Sequence, residues 1–238
     1  IVLGAASILV LRQRKTKNRL EERLQLQERL ADAELASKRL QMNPHFLFNA
    51  LDAISNFIFK NEPKDAVKYM GKLAKMMRLT LDSSRSEAMV LADEMELINQ
   101  YLDLCKLRYG NFEVQWKVDE ELDTFDHYVP PMLLQPIVEN AVQHALRPVM
   151  AMEQEAVLSI QIILNENGLC ISVEDNGPGI PTEVTSSDSH GLSIIEERLD
   201  LLSKKYSQTF EKRIEPLAES TLSTGTCVSL ILPADFGH

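Results

Sequence analysis

The chain has 238 residues, of which 45% are hydrophobic and 25% are charged, and its formal net charge is −10. This length and composition suit two modest globular domains, and the acidic balance argues against nonspecific nucleic-acid binding. No direct nucleic-acid partner is therefore expected. The three cysteines are widely spaced within apolar segments, which favours buried free thiols over a disulfide framework or a zinc site.

The first eleven residues are apolar or small, and the basic run that follows at 12–19 contains no acid. The apolar run is too short to cross a bilayer, which needs about 20 residues, but it could be the end of a spanning helix. Basic residues mark the cytoplasmic flank of such a helix. We interpret residues 1–11 as a truncated transmembrane stub. A signal-peptide fragment, whose basic residues should come first, and a solvated basic patch are the alternatives.

Residues 12–42 are predicted to form a signalling helix. From residue 20 onwards this segment has no Gly or Pro and is rich in good helix formers. Alternating steps of four and three residues join Leu26, Leu30, Ala33, Ser37 and Leu40. The spacing suits a parallel coiled coil, and a single amphipathic helix on the protein's own surface is the alternative.

Two further helices are predicted after Asn43 and Pro44, which can cap and restart a helix. The first has an apolar face, formed by Leu47, Leu51, Ile54 and Ile58, and a polar stripe roughly opposite, formed by His45, Asn49, Asp52 and Asn56. On pattern alone, solvent exposure is the simplest reading of His45. The second helix follows Pro63 and has its own apolar stripe. Two such helices cannot bury both stripes alone, so we expect a homodimeric four-helix bundle.

A third helix is predicted over residues 91–108, with a stop at Gly110. Beyond it, alternating residues predict strands at 112–118, 157–164, 170–174 and 227–232, separated by helices at 132–146 and 191–206. Strands interleaved with two long helices indicate an α/β sandwich. The predicted fold class is therefore α+β, with a helical N-terminal part followed by this sandwich.

The sandwich lacks the glycine motifs of P-loop and dinucleotide-binding folds. Asp175 instead ends a strand and precedes Gly177 and Gly179, which permit close backbone approach and positive φ. Its carboxylate could accept a hydrogen bond from an exocyclic amine such as that of adenine, although the same letters fit an ordinary turn. Asn140 and His144 share a helix face. That face is either solvated or a Mg²⁺ site, since amide and phosphate oxygens suit this ion.

The order of these segments resembles the LytS-like sensor histidine kinases over about residues 40–233. The segments are QMNPHFLFNAL, LADEMELINQYLDLCKLRYG, PPMLLQPIVENAVQHAL, DNGPGIP, HGLSIIEERL and GTCVSLILP. The resemblance implies a dimerisation and histidine phosphotransfer domain at 43–110 and a Bergerat-type ATP-binding kinase domain at 111–238. It also implies ATP and Mg²⁺ as cofactors, a response regulator as partner, and the cytoplasmic portion of a bacterial inner-membrane protein.

The same resemblance assigns roles to individual residues. It makes His45 the phosphoacceptor, Asn140 the Mg²⁺ ligand and Asp175 the adenine-reading residue. The other nucleotide-binding residues it implies are His144, Arg147, Gly177, Gly179, Gly191, Leu192 and Thr226.

Two departures from the family pattern are visible. Phe46 follows His45, so the acid found there in commoner kinase families is absent, and Asn49, one turn away, could orient the imidazole but is no strong base. The glycine-rich lid motif, here SHGLSI, lacks its first glycine and its asparagine.

Three functions remain open from the sequence. The first is an autophosphorylating sensor kinase. The second is an ATP-driven clamp of the chaperone or DNA-repair kind, which shares the Bergerat fold but has no need of the NPHFLFN helix. The third is a signalling scaffold that has lost catalysis, which only the altered lid motif supports.

Overall fold

The computed structural model describes residues 44–84, 86–179, 190–217 and 225–237, together with Lys17. The predicted stub and all of the predicted signalling helix except Lys17 lie outside the described residues. Within the described ranges, no helix is long and apolar enough to cross a membrane.

A helical hairpin opens the described structure, with α1 at Pro44–Phe59 and α2 at Pro63–Ser84. Each helix starts at a proline, whose fixed φ suits the first turn, and the connection contains Asn61 in a positive-φ conformation. The two helices are in contact, and Ala50 and Ala53 of α1 are buried. The rings of Phe57 and Tyr69 lie 5.8 Å apart, centroid to centroid.

The predicted apolar stripe of α1 is only partly buried within one chain. Ile54 packs against the core, whereas Leu51 and Ile58 are 59% and 64% exposed. On α2, exposed large apolar residues are Val67, Met70 and Leu81. Within the chain, α1 packs through the small Ala50 and Ala53 together with Ile54 and Phe57. Leu51 and Ile58 face outwards.

Helix α3 at Leu91–Tyr109 joins the hairpin to the rest of the molecule. The predicted stop is confirmed, because Gly110 has φ 104° and donates its N–H to the Lys106 carbonyl. The buried face of α3 is wide, since Leu97, Tyr101 and Leu104 are buried together with Leu91 and Ile98. A wide buried face is typical of a helix packed on more than one side, and α3 contacts both α2 and the helical layer of the sandwich.

The sandwich has one five-stranded sheet in the order β2-β4-β5-β7-β6. These strands are β2 Glu113–Val118, β4 Val157–Asn165, β5 Gly168–Asp175, β6 Glu211–Pro216 and β7 Thr226–Leu232. β2 pairs parallel with β4, and the other neighbours are antiparallel. A separate ribbon joins β1 at Met89–Val90 to β3 at Tyr128–Val129. The α+β prediction is confirmed, while β1, β3 and β6 were not predicted.

Two helical segments cover one face of the sheet. The first is α4 Gln135–Asn140, a π-helical segment Ala141–Leu146 and α5 Arg147–Ala151 in succession; the second is α6 His190–Tyr206. The prediction ended the first segment at residue 146, which was wrong. Pro148 is tolerated because it falls in the first turn of α5, where the π-helical pattern has just given way to a new set of hydrogen bonds.

Candidate functional site

The end of β5 holds a buried carboxylate. Asp175 is 6% exposed, and its Oδ1 accepts N–H hydrogen bonds from Gly177 at 3.0 Å and Thr226 at 3.2 Å. Among the described residues, Oδ2 accepts no hydrogen bond. Burial raises the pKa of Asp175, and the two backbone N–H groups partly oppose this. The carboxylate is thus fixed in orientation by one oxygen, with the other left to accept a ligand's donor.

Three glycines let the backbone close around this carboxylate. A Cβ at Gly177 would lie 2.4 Å from the Ala145 Cβ on the π-helical segment, so only glycine allows this approach. Gly179 has φ +78°, as the sequence led us to expect. Gly225, which the sequence reasoning did not select, has φ +152°, and a Cβ there would lie 1.8 Å from the Asp175 carbonyl oxygen.

The asparagine of the DNG sequence fixes the same turn to the start of β4. Asn176 Oδ1 accepts the Val157 N–H at 2.8 Å, and Asn176 Nδ2 donates to the Glu155 carbonyl at 2.7 Å. Asn176 is therefore a structural residue of the turn, which it ties to the start of β4.

The helical layer next to this turn carries the predicted Mg²⁺ ligand. Asn140 is the last residue of α4, and its Nδ2 is buried without a hydrogen-bond partner in the described part of the chain. Buried polar atoms are rarely left unsatisfied, so a ligand or water is expected at this amide. Glu139 is buried and accepts a hydrogen bond from Gln143 Nε2 at 2.9 Å, whereas His144 is exposed. The amide end of Asn140 fits a hydrated metal-phosphate ligand.

Arg147 and Asn49 lie where the helical hairpin meets the sandwich. The Arg147 guanidinium lies 4.7 Å from the ring centroid of Tyr109, and Arg108 lies 4.7 Å from the same centroid. Arg108 Nη2 also donates to Asn49 Oδ1 at 3.1 Å. These contacts join α5 and α1 to α3. Arg147 and Asn49 are therefore both held by side chains of α3 at this junction.

A cleft opens at that junction, and it is distinct from the Asp175 turn. Burial raises the pKa of Tyr69 and of Cys105 to about 12, so both stay neutral near pH 7 and Cys105 is an unreactive thiol. The expectation of free thiols is confirmed, although Cys170 and Cys227 are only half-buried. The cleft is lined by Asn49, Tyr69, Tyr101, Leu104, Cys105, Arg108, Tyr109 and Gln143.

The remaining predicted residues are placed by their backbone. His45 lies in the first turn of α1, directly after Pro44, and Gly191 and Leu192 lie in the first turn of α6. The side chains of His45 and Leu192 lie outside the described ones. The structure thus brings together Asp175, Gly177, Thr226 and the π-helical segment, while His45 starts a separate helix.

Comparison with known proteins covers both parts of the chain. Residues 33–114 match the family model described as "Histidine kinase", and residues 130–235 match the one described as "Histidine kinase-, DNA gyrase B-, and HSP90-like ATPase". The second match includes the Asp175 turn and the Asn140 helix, and the first includes the helix that begins at Pro44.

Full-length relatives extend the similarity across the junction. The chain is 30% identical over 214 residues to Sensor protein LytS of Staphylococcus epidermidis, which covers 86% of this chain and 34% of the relative. It is 32% identical over 224 residues to Sensor protein LytS of Bacillus cereus, covering 88% and 35%. It is 31% identical over 205 residues to Sensor histidine kinase YpdA of Escherichia coli, covering 82% and 34%. The chain spans about a third of the length of these curated relatives.

Proposed function

Because this chain belongs to the LytS-type sensor histidine kinases, we propose that it phosphorylates itself on His45 from Mg-ATP. The phosphoryl group then passes to an aspartate of a response regulator. The observation that carries the proposal is the Asp175 carboxylate, buried and held through Oδ1 alone, in a chain that also contains the NPHFLFN helix.

In the proposed complex, adenine is read by Asp175. Its Oδ2 accepts a hydrogen bond from the exocyclic amine, while Gly177 and Gly179 give the base and sugar room to approach the backbone. Thr226 stays bound to Oδ1 through its N–H. Gly191 and Leu192 flank the nucleotide from the first turn of α6, and His144 and Arg147 approach the phosphates.

Asn140 is the proposed protein ligand for Mg²⁺. Its amide oxygen, with phosphate oxygens and water, gives the all-oxygen surroundings that this ion prefers. The partnerless buried Nδ2 of the same amide supports a ligand at this position. When bound, the ion offsets negative charge on the phosphates.

The proposed chemistry is an in-line phosphoryl transfer. A neutral imidazole nitrogen of His45 forms the N–P bond, and the bond from the γ-phosphorus to the β–γ bridging oxygen breaks, so that ADP leaves with the electron pair. The proton on the other ring nitrogen is then released to solvent, which leaves a neutral phosphorylated ring. Asn49, one turn further along α1, orients the ring. In the second step a carboxylate oxygen of the response regulator attacks the same phosphorus and His45 is regenerated.

The proposal is tested by incubating the purified chain with γ-labelled ATP and Mg²⁺. Label that stays on the protein in base and is released in acid is the expected result. Release of free phosphate with no labelled protein would instead indicate an ATP-driven clamp. The family-model matches favour neither a clamp nor an inactive scaffold, because residues 33–114 match a histidine kinase model.

The domain limits 43–110 and 111–238 are part of the proposal, as is the arrangement that precedes them. We place residues 1–11 in a bacterial inner membrane and residues 12–42 in a signalling helix leading to the cytoplasmic kinase. Since α3 buries side chains against both the hairpin and the sandwich, it serves as the joint between the two domains.

The proposed homodimer would use the outward-facing apolar stripe of the hairpin. We expect Ile58→Glu to weaken the dimer Kd by at least about 100-fold, because burying an unpaired carboxylate costs several kcal/mol. Helix content should be unchanged, since Ile58 is already 64% exposed in the single chain. Sedimentation equilibrium and circular dichroism measure the two quantities.

The matched control is Asn56→Glu, which adds the same charge at an exposed position on the opposite, polar stripe of α1. It should leave the dimer intact. An Ile58→Glu variant that sediments as the parent dimer would remove this face from the interface.

A further inference from the structure

The turn that leads into α4 is held in an unfavourable backbone conformation. Met132, which is not a glycine, has φ 58°, a left-handed conformation that is unfavourable for a residue with a side chain and persists only where its surroundings impose it. Three residues later α4 begins at Gln135, and it ends at Asn140. The geometry of this turn therefore sets where the Asn140 helix starts.

A buried carboxylate holds the N–H groups of the turn. Glu94, in the first turn of α3, is fully buried. Its Oε2 accepts the Met132 N–H at 2.8 Å, and its Oε1 accepts the Leu134 N–H at 2.9 Å. Each carboxylate oxygen thus binds the backbone just before α4.

A buried guanidinium holds the carbonyl groups of the same turn. Arg198 on α6 is 4% exposed. Its Nη1 donates to the Met132 carbonyl at 3.2 Å, and its Nη2 donates to the Pro131 carbonyl. The Met132 N–H is therefore hydrogen-bonded to a side chain of α3, and the Met132 carbonyl to a side chain of α6.

This arrangement is hard to explain by stability alone. Each buried charge carries a desolvation cost that well-packed apolar residues would avoid, so a buried pair of opposite charges is weak evidence for a stabilising role. The pair does fix the orientation of the turn, because the carboxylate accepts two N–H bonds and the planar guanidinium donates to two carbonyls in a fixed geometry. The two side chains fix α4 and α6 relative to α3 through a single turn.

We propose that Glu94 and Arg198 are positioning residues for nucleotide binding, which hold the Asn140 end of α4 and the Gly191 end of α6 at the spacing that Mg-ATP requires. The inference rests on the proposed function. Neither side chain contacts the nucleotide in this proposal, since both are buried against the turn. Weakening the hydrogen bonds of Glu94 and Arg198 to the turn should weaken binding of the nucleotide without removing any group that takes part in phosphoryl transfer.

The test uses Arg198→Lys and Glu94→Gln in the full 238-residue chain. Lysine keeps the charge but lacks the planar fork that reaches two carbonyls, and glutamine keeps the shape but replaces one acceptor with a donor. Matched controls are Arg213→Lys and Glu96→Gln, whose side chains form exposed ion pairs with Glu211 and Lys75. Each protein is titrated with a trinitrophenyl-ATP analogue and Mg²⁺, and KM and kcat are measured for autophosphorylation.

We expect the Kd for the analogue and the KM for ATP to rise about 10-fold or more in both variants. Each variant should still bind one analogue per chain, and its kcat should stay within about 3-fold of the parent value. Both controls should behave as the parent does. An unchanged Kd with fewer sites per chain, or with only a lower Tm, would mean that the pair merely stabilises the fold and would overturn the proposal. A lower kcat at unchanged KM would overturn it as well. If the parent binds the analogue but gains no label on histidine, the proposed kinase function fails, and the Kd values still decide the positioning role.

Discussion

His45→Gln is expected to abolish incorporation of phosphate from γ-labelled ATP, by about 1000-fold or more, to the limit of detection. Glutamine has a comparable size and polarity but no nucleophilic ring nitrogen, so the N–P bond cannot form. Affinity for the ATP analogue should stay at the parent value, because His45 lies in the first turn of α1, whereas the proposed nucleotide-binding residues belong to the sandwich. Labelled protein and analogue titration measure the two quantities on one preparation.

The matched control for this substitution is His127→Gln. His127 lies in the loop before β3, where its Nδ1 is hydrogen-bonded to the Asp123 carbonyl oxygen at 2.8 Å, and its loss should leave labelling at the parent level. Label that persists in His45→Gln would place the phosphoacceptor elsewhere. ATP turnover to free phosphate that does not depend on His45 would favour the clamp.

The strands and helices that the sequence predicted are those with a clear apolar period. β5 and β7 alternate buried and less buried residues, β4 does so after three buried residues at its start, and α3 ends at a glycine that can adopt positive φ. β6 was missed because its sequence EKRIEP has one large apolar residue and a proline, a composition that suits a charged edge strand. Its pairing with β7 supplies the structure that its own letters do not indicate.

The geometry of the Asp175 turn could also be predicted from the sequence, since an acid at a strand end followed by glycines describes a local conformation. The burial of Glu94 could not, because this residue lies between Asp93 and Glu96 and reads as part of a solvated helix face. Its partners, the N–H groups of Met132 and Leu134, are distant in the chain. Only the packing of α3 against the sandwich reveals that this carboxylate is buried.

The same limitation applies to the junction of the two domains. Asn49 was selected for its spacing from His45 along α1, yet the structure adds its contact with Arg108, which in turn stacks on Tyr109 beside Arg147. Spacing along a helix identifies residues that share a face, but not the element packed against that face. Through these contacts, α3 connects the helix of the proposed phosphoacceptor, His45, with the helix that follows the proposed Mg²⁺ ligand, Asn140.

Asp175→Asn is expected to weaken binding of the ATP analogue by about 10- to 100-fold, since a hydrogen bond to a charged acceptor contributes about 1.5–3 kcal/mol. Asparagine can keep Oδ1 as acceptor for the N–H groups of Gly177 and Thr226, but it then presents an NH₂ donor to the adenine amine. Fluorescence titration measures the loss. The matched control, Asp200→Asn on the exposed side of α6, should bind as the parent does.

The pH dependence separates this role from a structural one. Burial raises the pKa of Asp175 in the folded protein, so the parent should lose nucleotide affinity as the pH falls through that raised value, while Asp175→Asn should lack this dependence.

The stability of the fold should change with pH in the opposite sense, because the folded state binds the Asp175 proton more tightly than the unfolded state does. The destabilising contribution of the Asp175 charge is therefore absent below the pKa of Asp175 in the unfolded chain, and it grows as the pH rises through the pKa in the folded protein. Removing the charge should therefore leave Asp175→Asn at least as stable as the parent near pH 7, since the burial of Glu94 is common to both proteins. Weak binding together with an unchanged or higher Tm assigns Asp175 to the nucleotide, whereas parent-like affinity, or affinity lost only with a lower Tm, would refute that assignment.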